Sequence, residues 1–341
     1  MRVVFRADAS TSLGSGHVMR CLTMADALRQ QGTTVSFVCM PLAGNMIEQI
    51  DSRGFMVHTL DFEQDDAIQT RSFLQSLLPS WLIVDHYHLD ENWERIQRSV
   101  CNSIMVIDDL ADRPHDCDLL LDQTYQRESV AYQGLVPQHC SLLLGTNYAL
   151  LRPEFNEWRT LSLARRSTPV LKQLLMTFGG SDPDNITARV MQMFLRYKSL
   201  PQECKLMVIM GAQSPHHQSI SSLASQLPYP CEIRTNIPNM AELMANSDLC
   251  ITAAGTTSWE AACLGLPTAM TAIAENQHTA LKALSAEQLV LQFDGRKLPH
   301  SLEEKLNQVI TTPDPLLEHL SLRFSKVCDG LGIQRVLKYL S

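Results

Sequence analysis

His17 stands where an apolar run ends, a small-residue loop turns and helical periodicity begins: Arg6-Ala7-Asp8 leads into Ser10-Thr11-Ser12-Leu13-Gly14-Ser15-Gly16-His17-Val18-Met19-Arg20. At a helix start the backbone dipole disfavours imidazolium, so a neutral imidazole is expected there near pH 7. Such a ring can take a proton as a general base. Gly14 and Gly16 tolerate positive φ and close backbone approach, so with Ser15 the loop can turn amide N–H groups toward an anion. The spelling is neither the G-x-G-x-x-G dinucleotide fingerprint nor a P-loop, since no Gly-Lys-Ser/Thr follows. The plainer alternative is that His17 caps its helix or bonds within the loop.

Two further loops of the same kind lie in the second half. Leu174 to Phe178 runs into Gly179-Gly180-Ser181-Asp182-Pro183-Asp184-Asn185, and Asp248 to Thr252 runs into Ala253-Ala254-Gly255-Thr256-Thr257-Ser258-Trp259-Glu260. Both read as strand, small-residue loop and helix. The three hydroxyls of Thr256, Thr257 and Ser258 suit diphosphate oxygens, and Glu260, one turn on, can accept both hydroxyls of a ribose. Taken singly, each loop reads equally well as an ordinary N-cap.

Three other clusters invite chemistry. Asp85-His86-Tyr87-His88-Leu89-Asp90 packs four potential metal ligands into six residues, but alternate positions along a continuing strand face opposite ways. Asp116-Cys117-Asp118 has the D-x-D spelling of metal-dependent transferases, yet it precedes a strand and reads as a turn. His216-His217 are sequence neighbours that cannot share a helix face, and read as a solvated end. No metal site and no cofactor is expected. The ten cysteines include no C-x-x-C pair and lie mostly in apolar runs, as reduced, buried thiols of a cytoplasmic protein would.

The elements that must hold these residues alternate along the whole chain. Strands are expected at 2–7, 34–39, 55–60, 81–85, 103–108, 118–122 and 141–144, with helices at 17–31, 44–53, 64–78, 91–99 and 152–164. After Arg165-Arg166-Ser167-Thr168-Pro169 the pattern restarts, with strands near 170–178, 205–210, 231–235, 248–252, 267–272 and 289–292. The fold class is therefore α/β, with two doubly wound Rossmann-like domains at 1–165 and 166–341. The last helix is a candidate to return to the first domain. A length of 341 residues suits two domains. Residues 1–165 carry 13 Arg, no Lys and 21 acids, a net charge of −8, whereas the remainder has 15 bases against 15 acids. That balance disfavours nucleic acid as a partner, and directs an anionic ligand to the second domain. No run reaches the 18 apolar residues of a spanning helix, so no membrane insertion is expected. No obligate protein partner is evident.

Together, Gly14-Ser15-Gly16-His17, Gly179-Gly180-Ser181-Asp182, Asn236-Ile237-Pro238-Asn239-Met240-Ala241-Glu242-Leu243-Met244 and Ala254 through Glu260 resemble the GT-B superfamily branch that contains the glycosyltransferase of lipid II synthesis. More narrowly, Arg6-Ala7-Asp8, Gly16 to Leu22, and Trp259-Glu260 through Leu264-Gly265-Leu266-Pro267 to Ala274-Glu275-Asn276-Gln277 resemble the UDP-sugar hydrolases of pseudaminic acid biosynthesis. Ala254 departs from the glycine expected in much of that family. The resemblance implies a GT-B fold with the active site in the interdomain cleft. It also implies metal-independent hydrolysis of UDP-2,4-diacetamido-2,4,6-trideoxy-beta-L-altropyranose by water attack at the anomeric carbon, with inversion and loss of UDP. On that reading His17 is the general base, and Asn276 and Tyr87 stand at the reacting sugar. The substrate is contacted by Arg6, Asp8, Gly14, Ser15, Gly16, Gly180, Ser181, Glu275 and Gln277. Gly255, Thr256, Thr257 and Ser258 meet the charge on UDP, Glu260 holds its ribose, and Ile237 offers backbone bonds to uracil. For Tyr87 a surface-packed tyrosine is the alternative.

A GT-B glycosyltransferase is the nearest rival, since the same histidine would then activate an acceptor hydroxyl. The chain lacks an amphipathic basic helix for a lipid acceptor at a membrane. A non-catalytic nucleotide-sugar-binding protein has little use for a poised base, and a hydrolysing epimerase needs an acid/base pair that the sequence does not place.

Overall fold

The structure, a computed structural model, describes every residue except Ser181, Ala212, Gln213, Asn236 and Ser341. It divides into two compact units. The first comprises Met1–Leu151 with the residues from Leu331 on, and the second Arg152–Gly330.

In the first unit, strands β1 (Arg2–Ala7), β2 (Thr34–Cys39), β3 (Met56–Thr59), β4 (Trp81–Asp85), β5 (Ser103–Ile107), β6 (Leu119–Asp122) and β7 (Ser141–Leu144) form one parallel sheet in the order β3-β2-β1-β4-β5-β6-β7. The strands are apolar on both sides because helices cover both faces. Val3, Phe5 and Ala7 pack with Val18, Cys21, Leu22 and Leu28 of the helix Gly16–Gln30, while Val4, Leu82 and Val84 pack on the opposite face with Leu74 and Trp93. Helix starts are written locally: the Asp65 carboxylate accepts from the Ile68 amide, and that of Asp90 from the Asn92 and Trp93 amides. In register, Ala7 lies opposite Asp85. The residues just beyond β1 and β4 therefore emerge side by side where the strand order reverses.

The second unit repeats the plan with β8 (Gln173–Thr177), β9 (Lys205–Met210), β10 (Cys231–Thr235), β11 (Leu249–Ala253), β12 (Thr268–Thr271) and β13 (Leu291–Gln292), all parallel, in the order β10-β9-β8-β11-β12-β13. Its order reverses between β8 and β11, the strands that feed the two glycine loops.

The dividing point differs from the expected one at residue 165. The helix Pro153–Arg165 belongs to the second unit, where Arg165 pairs with Asp248 and the buried Arg166 guanidinium bonds the Ser247 and Leu264 carbonyls. The start of the polar run at which the strand pattern restarts is thus a clamp. At the other end, the helix Gly332–Leu337 packs in the first unit, with Ile333 and Val336 in its core, and Arg335 donates to the Asn147 carbonyl at 2.8 Å. Gly332 is essential to that return, since a Cβ there would lie 2.2 Å from the Ala149 carbonyl oxygen.

Candidate functional site

At the reversal in the first unit, two His–Asp–Arg groups cross. Asp85, the last residue of β4, is fully buried; its carboxylate takes two bonds from Arg20, each 2.6 Å, and lies 2.8 Å from His17 Nδ1. Asp8, just beyond β1, accepts two bonds from Arg6 at 2.7 and 2.9 Å and one from the Met40 amide, and His86 Nε2 lies 3.2 Å away. Burial would raise both carboxyl groups. The ion pairs outweigh it, with Arg20 and His17 holding Asp85, and His86 and Arg6 holding Asp8, far below the usual carboxylate range. Both are therefore acceptors only.

The two histidines consequently differ. His86 Nδ1 accepts the His88 amide at 3.1 Å, so its Nε2 carries the hydrogen and both ring nitrogens are used. Burial also lowers its affinity for a second proton, with Asp8 opposing. His17 uses only Nδ1, toward the Asp85 carboxylate and carbonyl, and its Nε2 has no partner among the described residues. Its ring meets Tyr87 edge-on, centroids 4.4 Å apart. Burial raises the Tyr87 phenol well above its ordinary range and the Asp109 carboxylate adds to the rise, so Tyr87 acts as a hydrogen-bond donor. Gly14 takes φ +76°, closing a turn in which its amide donates to the Ser10 carbonyl. Ser15 precedes the helix without capping it through its side chain, and Gly16 is its first residue, with φ outside the positive range.

In the second unit the amides of Gly255, Thr256 and Thr257 donate to no acceptor among the described residues, while Ser258 N–H closes a turn onto the Gly255 carbonyl. Gly255 adjoins the loop after β12: a Cβ there would lie 3.8 Å from Gln277 Nε2, and the Gln277 side chain accepts from the Ile273 amide at 2.9 Å. Asn276 precedes the helix Gln277–Ala286 and is half-buried. Gly255, Asn276 and Gln277 thus share one end of the sheet. Beside them Glu260 lies with Arg152 at 3.7 Å, and burial pushes its carboxyl up to about 7 against the pull of that cation. Gly180 rests on Gly211, where a Cβ would come within 1.9 Å of the Gly180 carbonyl oxygen. Ile237 follows β10 and is half-buried.

Residues 174–322 match the model of the glycosyltransferase family 28 C-terminal domain. An uncharacterized protein of Methanocaldococcus jannaschii is 27% identical over 271 residues, covering 78% of this chain and 54% of that protein, so the chain spans about half the length of that relative. The UDP-2,4-diacetamido-2,4,6-trideoxy-beta-L-altropyranose hydrolase of Campylobacter jejuni is 28% identical over 261 residues, 74% of this chain and 85% of that protein. The crystal structure of Acinetobacter baumannii MurG is similar with a TM-score of 0.68 over 99% of this chain and 98% of that one, at 16% identity. The fold is GT-B.

On this GT-B frame several expected site residues stand elsewhere. Arg6 is 1% exposed, and its guanidinium is consumed by Asp8 and by Asp66 at 2.6 Å, so it braces the loop from inside rather than facing a ligand. Asp8 is likewise spent on Arg6, His86 and Met40. The Ser258 hydroxyl points inward to Met270 Sδ at 3.6 Å, which leaves Thr256 and Thr257 as the outward hydroxyls. The Glu275 side chain is 98% exposed, 4.0 Å from His278. Ser181 lies outside the described residues. The six-residue acidic and histidine cluster disperses, with Asp85 to His17 and Arg20, His86 to Asp8, and Asp90 to a helix cap. Among the described residues no three His, Cys, Asp or Glu side chains gather as metal ligands. Asp116 and Asp118 both pair with Arg98, which pins the turn before β6. All ten cysteines are free thiols. No helix of the described residues is long and apolar enough to cross a membrane.

Sequence reasoning missed Asp85, Arg20 and Gly211 as parts of the site. Asp85 had a readable signal, a carboxylate ending an otherwise apolar strand, Trp81-Leu82-Ile83-Val84-Asp85. Arg20 lies one helical turn after His17, on the same face.

Proposed function

We propose that this chain hydrolyses a UDP-linked sugar, releasing UDP and the free sugar. The reading rests chiefly on His17: a carboxylate that can only accept holds its Nδ1, which leaves Nε2 open to take a proton from water. Water would add to the anomeric carbon as the bond to the UDP oxygen breaks, with inversion. The electron pair of that bond leaves on the β-phosphate. The free amides of Gly255, Thr256 and Thr257 and the two threonine hydroxyls would meet this charge as fixed dipoles. Glu260 would accept the ribose hydroxyls, Ile237 would pair with uracil through its backbone, and Asn276, Gln277 and Tyr87 would orient the sugar. The 28% identity to the Campylobacter jejuni hydrolase supports the diacetamido-trideoxy altrose as substrate.

The test is UDP release from that UDP-sugar by purified protein in EDTA with no acceptor present. Equal amounts of UDP and free sugar are expected. Release that requires an acceptor would favour a glycosyltransferase, the reading that the family 28 match of the second unit also suits. UDP binding without turnover under any condition would leave a nucleotide-sugar-binding protein.

A further inference from the structure

We infer that Asp85 and Arg20 are the positioning residues that make His17 Nε2 the proton-accepting atom, acting together as one unit. Asp85 is the only carboxylate bonded to His17 among the described residues, at 2.8 Å and with no exposed surface. Arg20 Nε and Nη2, each at 2.6 Å, add a parallel fork that fixes the plane of the carboxylate, and the Cys21 thiol approaches it at 3.5 Å. An ionised carboxylate offers no hydrogen, so Nδ1 must supply the one they share. The hydrogen on a neutral ring is then fixed to Nδ1, and the lone pair to Nε2.

The neighbouring group serves as an internal control. His86, Asp8 and Arg6 have the same residue types, drawn from the same two strand ends, but the His88 amide occupies His86 Nδ1 and the opposite tautomer results. One lattice thus holds two histidines in opposite tautomers, and only His17 keeps a nitrogen free. As Nε2 takes the proton from water, the ring becomes cationic with Asp85 already in contact, so the charge forms beside a fixed countercharge. The proton passes on to solvent after UDP and sugar leave.

This inference rests on the hydrolase reading for its catalytic consequence, but not for its structural content. The experiment therefore has two arms. Long-range proton–nitrogen NMR of 15N-histidine-labelled protein, with the His17 signals assigned by their loss in His17→Asn, reads the tautomer directly. Nδ1–H is expected in the wild type and Nε2–H in Asp85→Asn. A wild-type Nε2–H tautomer overturns the inference. In the kinetic arm, Asp85→Asn should lower kcat by roughly a hundredfold to ten-thousandfold with little change in KM. Added to His17→Asn, it should cost less than about threefold more, because the pair acts as a unit. A folded Asp85→Asn with wild-type kcat, or full additivity of the two losses, overturns it too. If Asp85→Asn fails to fold, the wild-type spectrum and Arg20→Lys decide. Arg20→Lys keeps the cation but loses the fork, and roughly tenfold lower kcat at unchanged KM is expected, with unchanged kcat refuting the role of Arg20. If wild-type protein releases no UDP, the hydrolase reading fails while the spectrum still judges the pairing.

Discussion

The two strand-order reversals of this protein share a topology and oppose each other in chemistry. Between β1 and β4 the chain gathers Arg6, Asp8, Arg20, Asp85, His17 and His86, six titratable groups interlocked by short ion pairs and mostly withdrawn from water. Between β8 and β11 it gathers glycines, threonines and unpaired amides, with Glu260 in the first turn of the helix Thr257–Cys263 that follows the β11 loop. A buried proton acceptor must be held in one orientation, and charged neighbours do that strongly at short range. An anion that binds and leaves again is better met by neutral dipoles, which attract it without surrounding it with cations. The acid surplus of the first 165 residues and the neutrality of the rest reflect the same division.

Five substitutions would break or sharpen this contrast. His17→Asn removes the acceptor alone, so turnover should fall on the order of a hundredfold or more while UDP affinity, measured by calorimetry, stays as in the wild type. A parallel loss of UDP affinity would mean that the first reversal also binds the nucleotide. Glu260→Gln comes next. With its carboxyl near 7, Glu260 is largely protonated below that pH and accepts from ribose hydroxyls best above it, so UDP should bind more tightly as pH rises through about 7. The variant should bind about tenfold to a hundredfold more weakly at pH 8 and should lose that part of the pH dependence. A wild-type pH profile that survives in the variant would remove Glu260 from the site.

Gly211→Ala tests whether the Gly179-Gly180 loop is braced from behind. Its Cβ overlaps the Gly180 backbone, and a loss of about 1–3 kcal/mol in unfolding free energy is expected by denaturant titration. The smallest effects separate the hydroxyls. Thr257→Val should weaken UDP binding by roughly threefold to tenfold, and Ser258→Ala should leave it unchanged because that hydroxyl faces Met270. Reversed ranks would place Ser258 rather than Thr257 on the phosphate.

Most of the fold was legible because a doubly wound sheet writes itself locally. Most strands are short apolar runs with a small or acidic residue at the exit, as in Trp81 to Asp85, and most crossovers carry a helix. The expected strands 2–7, 34–39, 81–85, 141–144, 205–210 and 231–235 coincide with β1, β2, β4, β7, β9 and β10. The unit boundary was less legible, because nothing near Arg165 and Arg166 in sequence shows that Asp248 and the Ser247 carbonyl will be their partners.

By itself the sequence determined two α/β units, a histidine at the first helix start and glycine-hydroxyl loops at the strand exits of the second half. These follow from periodicity, from the φ freedom of glycine and from residue type, all properties of neighbouring residues. Only the tertiary structure decided which charges are spent and which groups stay open. On paper Arg6 is a ligand to the substrate, Ser258 and Thr257 are equally plausible donors, and His86 is one of four potential metal ligands beside Asp85. Partners sixty or more residues apart, Asp66 for Arg6 and Asp85 for His17 and Arg20, decide which of these faces inward. A hydrogen-bonding group has few positions to fill, and once a distant partner fills one, the remaining position sets what the residue can do.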